Sequence, residues 1–113
     1  MEPSDAVGAL SALAQESRLK VFRLLVRGGA EGMAAGAVAE ALQIPPNTLS
    51  AHLGVLARAK LVTARKEGRS VIYAVDLAGT RKLLSFLVED CCRGQPQHCG
   101  PLIASVLQDC CEA

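Results

Sequence analysis

Residues 47–75 read NTLSAHLGVLARAKLVTARKEGRSVIYAV and carry two different periodicities in one short run. Up to about residue 58 the apolar Leu49, Leu53 and Leu56 recur at the helical period, and Asn47, Thr48, Ser50 and His52 gather at or near the start of that helix. Beyond it the period falls to two. Residues 61–66 and 70–75 are rich in β-branched side chains and are joined by Glu67-Gly68, which predicts a β-hairpin. Just upstream, IPPN at 44–47 predicts a turn, with Pro46 or Asn47 opening the helix. Such a helix can read DNA: short polar groups at its N-terminal end reach base edges and phosphates while the apolar face docks on the domain. The backbone N–H groups at its start favour a phosphate as well.

Working outward, the spacing predicts three earlier helices. The first starts at Ser4 as N-cap and carries Val7, Leu10, Leu13 and Ala14 on one face. A second covers about 17–26, with Leu19, Phe22, Leu25 and Val26 inward, Arg18, Arg23 and Arg27 outward, and Gly28-Gly29 as its stop. A third, alanine-rich helix covers about 34–42. Downstream, a fifth helix over 77–92 has Leu83, Leu84, Leu87 and Val88 as its stripe, Gly94 and Pro96 break it, and a sixth begins near Pro101. Helices followed by a hairpin within one small domain give winged-helix order, in a mainly α (α+β) fold. Residues 1–92 are expected to form the winged-helix and dimerisation domain, and 93–113 a cysteine-rich extension with a short helix.

Composition narrows the class. A chain of 113 residues is one domain's worth and can bury a real core. Half of it is apolar but only Phe22, Phe86 and Tyr73 are aromatic, so the core must be aliphatic. Charged residues at 20% are too many for a membrane protein and too few for a disordered one, and no apolar run reaches the roughly 18 residues that span a bilayer. The opening MEPSDAVGAL has acids where a secretory signal needs bases, so a cytoplasmic protein is expected. The net charge of +1 is uninformative, but Arg58, Lys60, Arg65, Lys66 and Arg69 crowd one stretch holding a single acid, Glu67. Arg65, Lys66 and Arg69 are expected at the hairpin tip, suited to clamp a phosphate backbone. A partly buried structural role for His52 and a capping role for Asn47 are the plainer alternatives.

These residues resemble a known family. LSAHLGVLARAKLV is similar to the Ser-x-His-Leu-x-x-Leu core of the ArsR/SmtB metal-responsive repressors, and RKEGRSVIYAV resembles their wing. ALAQESRLKVFRLL is similar to their early helices, so the resemblance covers roughly residues 8–88. It implies a winged helix-turn-helix that binds double-stranded operator DNA as a homodimer, with N- and C-terminal helices as the dimer interface. The expected DNA contacts are Asn47, Thr48, Ser50, His52, Arg58, Arg65, Lys66 and Arg69. Lys60 departs from the family, which usually has glycine there. A left-handed residue would cost a non-glycine about 1 kcal/mol, so a different helix ending is expected.

The cysteines form a second asymmetry. Cys91, Cys92, Cys99, Cys110 and Cys111 all lie after residue 90. In a reducing compartment this is not a disulfide framework, and metal or redox chemistry is expected. In VEDCCRGQPQHCG, adjacent thiols and a third across a Gly/Pro turn can converge on one centre. Three thiolates without a fourth ligand suit As(III) or Sb(III), because soft sulfur selects soft acceptors. Zinc would want a fourth ligand, and His98 could supply it. Arsenic-sensing members of the family place such a cluster at the end of the fifth helix, and the carboxylate-and-histidine pattern of zinc sensors is absent there. The expected site is therefore Cys91, Cys92 and Cys99, with Cys110 and Cys111 open to a second site, a supporting role or none. A zinc/cadmium-responsive or thiol-redox-responsive repressor of the same fold is the alternative. No organic cofactor is expected. An enzyme is not expected either, since these cysteines follow a helix where a catalytic one would open it after a strand, and no phosphate-cradling loop occurs.

Overall fold

The computed structural model describes residues 1–88 and 104–105. The five cysteines and His98, and with them the whole expected metalloid site and most of the sixth helix, lie outside the described residues.

The element order is α1 (Pro3–Leu13), α2 (Glu16–Gly28), β1 (Met33–Ala34), α3 (Ala35–Leu42), α4 (Pro46–Arg58), β2 (Val62–Glu67), β3 (Ser70–Val75) and α5 (Leu77–Val88). The three strands form one antiparallel sheet in the order β1-β3-β2. This is a winged helix-turn-helix, mainly α with a β wing, as the sequence predicted. Leu25, Leu49, Leu53, Leu56, Leu61, Val21 and Val38 are the largest fully buried side chains, so the core is aliphatic. The aromatic Phe22, Tyr73 and Phe86 are only half-buried against it.

Several expectations are corrected. Helix α1 starts at Pro3 and not after a Ser4 cap; Asp5 Oδ2 accepts the Glu2 N–H at 3.2 Å. Its buried face is Ala6, Ala9 and Ala12, while Val7 and Leu10 stay 63% and 42% exposed. Small side chains let α1 lie close to its neighbours, and packing density favours that over burying the larger residues one position on. On α2 the buried residues are Val21 and Leu25, whereas Leu19 and Val26, expected inward, are 44% and 53% exposed. Arg18 is not outward: its Nε donates to the Ala12 carbonyl at 2.7 Å and ties α2 to the end of α1. Gln15 caps α2 by accepting the Arg18 N–H at 2.8 Å. Strand β1 was not foreseen; Met33 pairs with Tyr73 and Ala34 with Ile72, which delays α3 to Ala35.

Helix α4 ends as a glycine-closed helix would, although the residue there is Lys60. Lys60 has φ +62°, its N–H donates to the Ala57 carbonyl at 3.0 Å, and the Leu61 N–H donates to the Leu56 carbonyl at 3.0 Å. This is a Schellman ending, with buried Leu56 and Leu61 as its apolar pair. The different helix ending expected for a non-glycine residue is therefore corrected, and Lys60 carries the left-handed conformation itself. Helix α3 ends the same way through Gln43, φ +56°, with the Ile44 N–H on the Ala39 carbonyl.

The start of α5 rests on this corner. The Asp76 N–H donates to the Leu61 carbonyl at 2.9 Å, and Asp76 Oδ1 caps α5 by accepting the Gly79 N–H at 2.9 Å. A Cβ at Gly79 would collide with the Lys60 carbonyl, so only glycine allows this close approach.

Candidate nucleic-acid interface

Helix α4 presents one clean outer face. Leu49, Leu53 and Leu56 are buried, and Asn47, Ala51, Gly54 and Arg58 follow the i, i+4, i+7, i+11 spacing on the opposite side. Asn47 and Arg58 thus share a face about 16 Å apart along the axis. Ala51 and Gly54 lie between them, and the Arg58 guanidinium reaches back towards Gly54, its Nη1 3.7 Å from where a Cβ would stand, beside the groove that α4 forms with α1 and α5. Thr48 and Ser50 are exposed on the two flanks of this face. His52 is partly buried on the core side of Thr48 and is the one expected helix contact set apart from the rest.

The start of α4 suits a phosphate. Pro45 is the N-cap, Pro46 fills the first helical position, no side chain caps the first turn, and no acid lies in it. Asn47 is therefore inside the helix and is not its cap. The first-turn amides carry the positive end of the helix dipole with no protein anion to spend it on.

The hairpin separates the wing cations. Its register pairs Arg65 with Ile72, Lys66 with Val71 and Glu67 with Ser70, leaving Gly68-Arg69 as a two-residue loop. Successive strand residues point to opposite faces, so Arg65 and Lys66 cannot address one surface together. Lys66 and Arg69 are exposed and form no ion pair among the described residues. Arg65 sits two rungs below the loop, with its Nε donating to Glu67 Oε1 at 2.9 Å and its Nη2 donating to the Glu31 carbonyl at 2.7 Å. Glu31 was not singled out from sequence, and Glu67 only as a turn residue and the one acid of the basic stretch. The period-two spacing of Arg65 and Glu67 was the only available signal.

Among the described residues no group of three or more His, Cys, Asp or Glu could hold a metal ion. No helix among them is long and apolar enough to cross a membrane.

Comparison with known proteins agrees with this geometry. A helix-turn-helix domain family matches residues 13–65. The chain is 34% identical over 82 residues to the nodulation protein NolR of Rhizobium meliloti, covering 73% of this chain and 65% of NolR. It is 35% identical over 79 residues to a Halobacterium salinarum protein bearing the name of an arsenical resistance operon repressor, ArsR, covering 70% of this chain and 60% of that one. The chain thus spans 65% and 60% of the length of these curated relatives. A solved relative is the homodimeric winged helix-turn-helix DNA-binding domain Mb0332 from Mycobacterium bovis, described as a possible ArsR-family transcriptional regulator. It matches with TM-score 0.63 and 31% identity over 77% of this chain and 80% of that one.

Proposed function

The chain belongs to the ArsR/SmtB family of DNA-binding transcriptional regulators, and from that premise we propose that it is a cytoplasmic, homodimeric repressor that holds operator DNA and releases it when As(III) or Sb(III) binds Cys91, Cys92 and Cys99. The observation that carries the sensing half is the cysteine distribution: five after residue 90 and none in the body that forms the winged helix. The donor chemistry fits. Three thiols condensing with As(OH)3 form three As–S bonds and release three waters, with no change of oxidation state and no need of a fourth ligand.

The DNA half is supported by the open face of α4 and its uncapped start. Symmetry supplies the reach that one helix lacks, because two heads reading half-sites about one turn apart cover a usable operator. The apolar Val7 and Leu10 of α1 and Leu84 and Leu87 of α5, all exposed in the single chain, supply a surface for the second copy. In sequence the sensor cysteines follow α5. The tail continues from α5, and α5 begins on the corner that ends α4, through Asp76 on the Leu61 carbonyl and Gly79 against the Lys60 carbonyl. A tilt of α5 is passed to α4 at that corner. By linkage, DNA weakens inducer binding by the same factor, typically about 1–3 kcal/mol.

Binding to a duplex selected from a random pool, titrated against arsenite, antimonite, zinc and an oxidant, tests this. Arsenite and antimonite should release the DNA. Serine at Cys91, Cys92 or Cys99 should abolish release and leave DNA binding intact. Release by zinc or oxidant alone, or loss of release in Cys110→Ser/Cys111→Ser but not in Cys99→Ser, overturns the assignment.

A further inference from the structure

Arg65 belongs to the basic stretch that includes the wing, yet its half-exposed guanidinium is already engaged within the chain. Its Nε donates to Glu67 Oε1 at 2.9 Å and its Nη2 to the Glu31 carbonyl at 2.7 Å. The second bond links residues 34 apart in sequence. It runs from β2 to the loop that leads into β1, with β3 lying between them in the sheet.

The donor of that bond sits at the last rung where the sheet supports the hairpin, and its acceptor precedes β1, on the side away from the hairpin tip. Strand β1 reaches only as far as Ile72 on β3, and Arg65 is the β2 partner of Ile72. The rungs beyond, Lys66 with Val71 and Glu67 with Ser70, and the loop carrying Arg69, project past the three-stranded part as a two-stranded ribbon. Two strands alone hold a direction poorly in water. The acceptor on the other side is well placed. Gly32, at φ +76°, is pressed so close to β3 that a Cβ there would lie 2.5 Å from the Tyr73 carbonyl oxygen, which seats residues 31–32 firmly on the sheet. A planar guanidinium can serve a carboxylate and a carbonyl at once, and an ammonium on a flexible stem cannot hold that fork.

We propose that Arg65 is a positioning residue and not a DNA contact: with Glu67 it straps the wing to the Glu31 carbonyl and sets the angle at which Lys66 and Arg69 meet the DNA backbone. Glu67, an acid on a wing that faces polyanionic DNA, is retained because it holds Arg65. The consequence for DNA rests on the DNA-binding reading above; the strap itself does not.

Two measurements decide the matter. The first is backbone 15N relaxation of the DNA-free protein. Arg65→Ala, Arg65→Lys and Glu67→Ala should each lower the heteronuclear NOE at Gly68 and Arg69, leaving α4 unchanged. The second is affinity for a selected duplex and for a random duplex. Arg65→Lys, which keeps the charge, should lose affinity about as much as Arg65→Ala, roughly tenfold, and Glu67→Ala should also bind more weakly. A phosphate contact gives opposite signs: Arg65→Lys binds like wild type, Glu67→Ala binds more tightly for want of a repelling charge, and the loop NOE does not move. Any of those results overturns the proposal. If the wild-type protein binds no duplex, the DNA reading falls, and the relaxation data still decide the strap.

Discussion

Lys60→Gly should stabilise the protein, and the size of the gain follows from the corner it occupies. Lys60 holds φ +62° at the end of α4, where its N–H and that of Leu61 close the helix on Ala57 and Leu56. A side-chain-bearing residue in that region costs roughly 1–2 kcal/mol. Glycine removes this cost but gains freedom in the unfolded chain, which returns about 0.5–1 kcal/mol. The net gain is about 0.5–1 kcal/mol. A folded body of about 90 residues has an unfolding entropy near 0.2 kcal/mol/K, so the melting temperature should rise by roughly 3–5 °C. The Lys60 side chain is exposed and makes no ion pair among the described residues, so its loss subtracts little. Thermal unfolding followed by circular dichroism at equal protein concentration measures this, because a dimer's melting point depends on concentration. Lys60→Ala is the control, since it removes the same charge and keeps the strain. The reasoning fails if the glycine variant melts at or below wild type, or if alanine gains as much as glycine.

Lys66→Ala and Arg69→Ala should weaken binding to selected and random duplexes alike, and each should flatten the dependence of log K on log salt by about one. Thr48→Ala and Ser50→Ala should instead erode the preference for the selected duplex over the random one. Sedimentation at micromolar concentration should show one dimeric species before and after arsenite, since release is proposed to come from altered geometry; a shift to monomer on adding arsenite refutes that mechanism and spares the function.

Local punctuation made the central motif readable. Helix α4 opens at Pro46 because IPPN can begin a helix but cannot continue one, and β3 spans Ser70–Val75 as the alternating run does. What failed depended on partners far along the chain. Strand β1 is two residues long and exists only through its pairing with Tyr73 and Ile72, a contact no local window contains. Lys60 failed differently. Its local cost argued against a left-handed residue, but the buried Leu56–Leu61 pair and the seat for α5 hold the corner regardless. The wing cations were treated as one stripe although the strand assignment already implied alternation, and the carbonyl that claims Arg65 could not be located from sequence because a backbone acceptor has no letter of its own.

Helix α1 shows why a hydrophobic stripe is ambiguous. Val7, Leu10 and Leu13 repeat at helical spacing, and so do Ala6, Ala9 and Ala12. Ranked by transfer energy the larger set should be inside, since burying a valine or leucine is worth about 1.5–3 kcal/mol. The structure buries the alanines and leaves Val7 and Leu10 in the open. Close approach recovers dispersion contacts along the whole helix, which a bulky residue at each crossing would forfeit. The energy of the larger stripe is then still unspent, and a second copy of the chain is the occupant proposed here for it. Leu84 and Leu87 repeat the arrangement on α5, exposed beside a single fully inward Leu83. Two helices from opposite ends of the chain therefore leave large apolar groups outside after the core is complete, and α1 touches α5. Had the core alone shaped the sequence, alanine, serine or lysine would serve at Val7, Leu10, Leu84 and Leu87. Their size is best explained by an interface, and the tail with its cysteines continues from the end of α5.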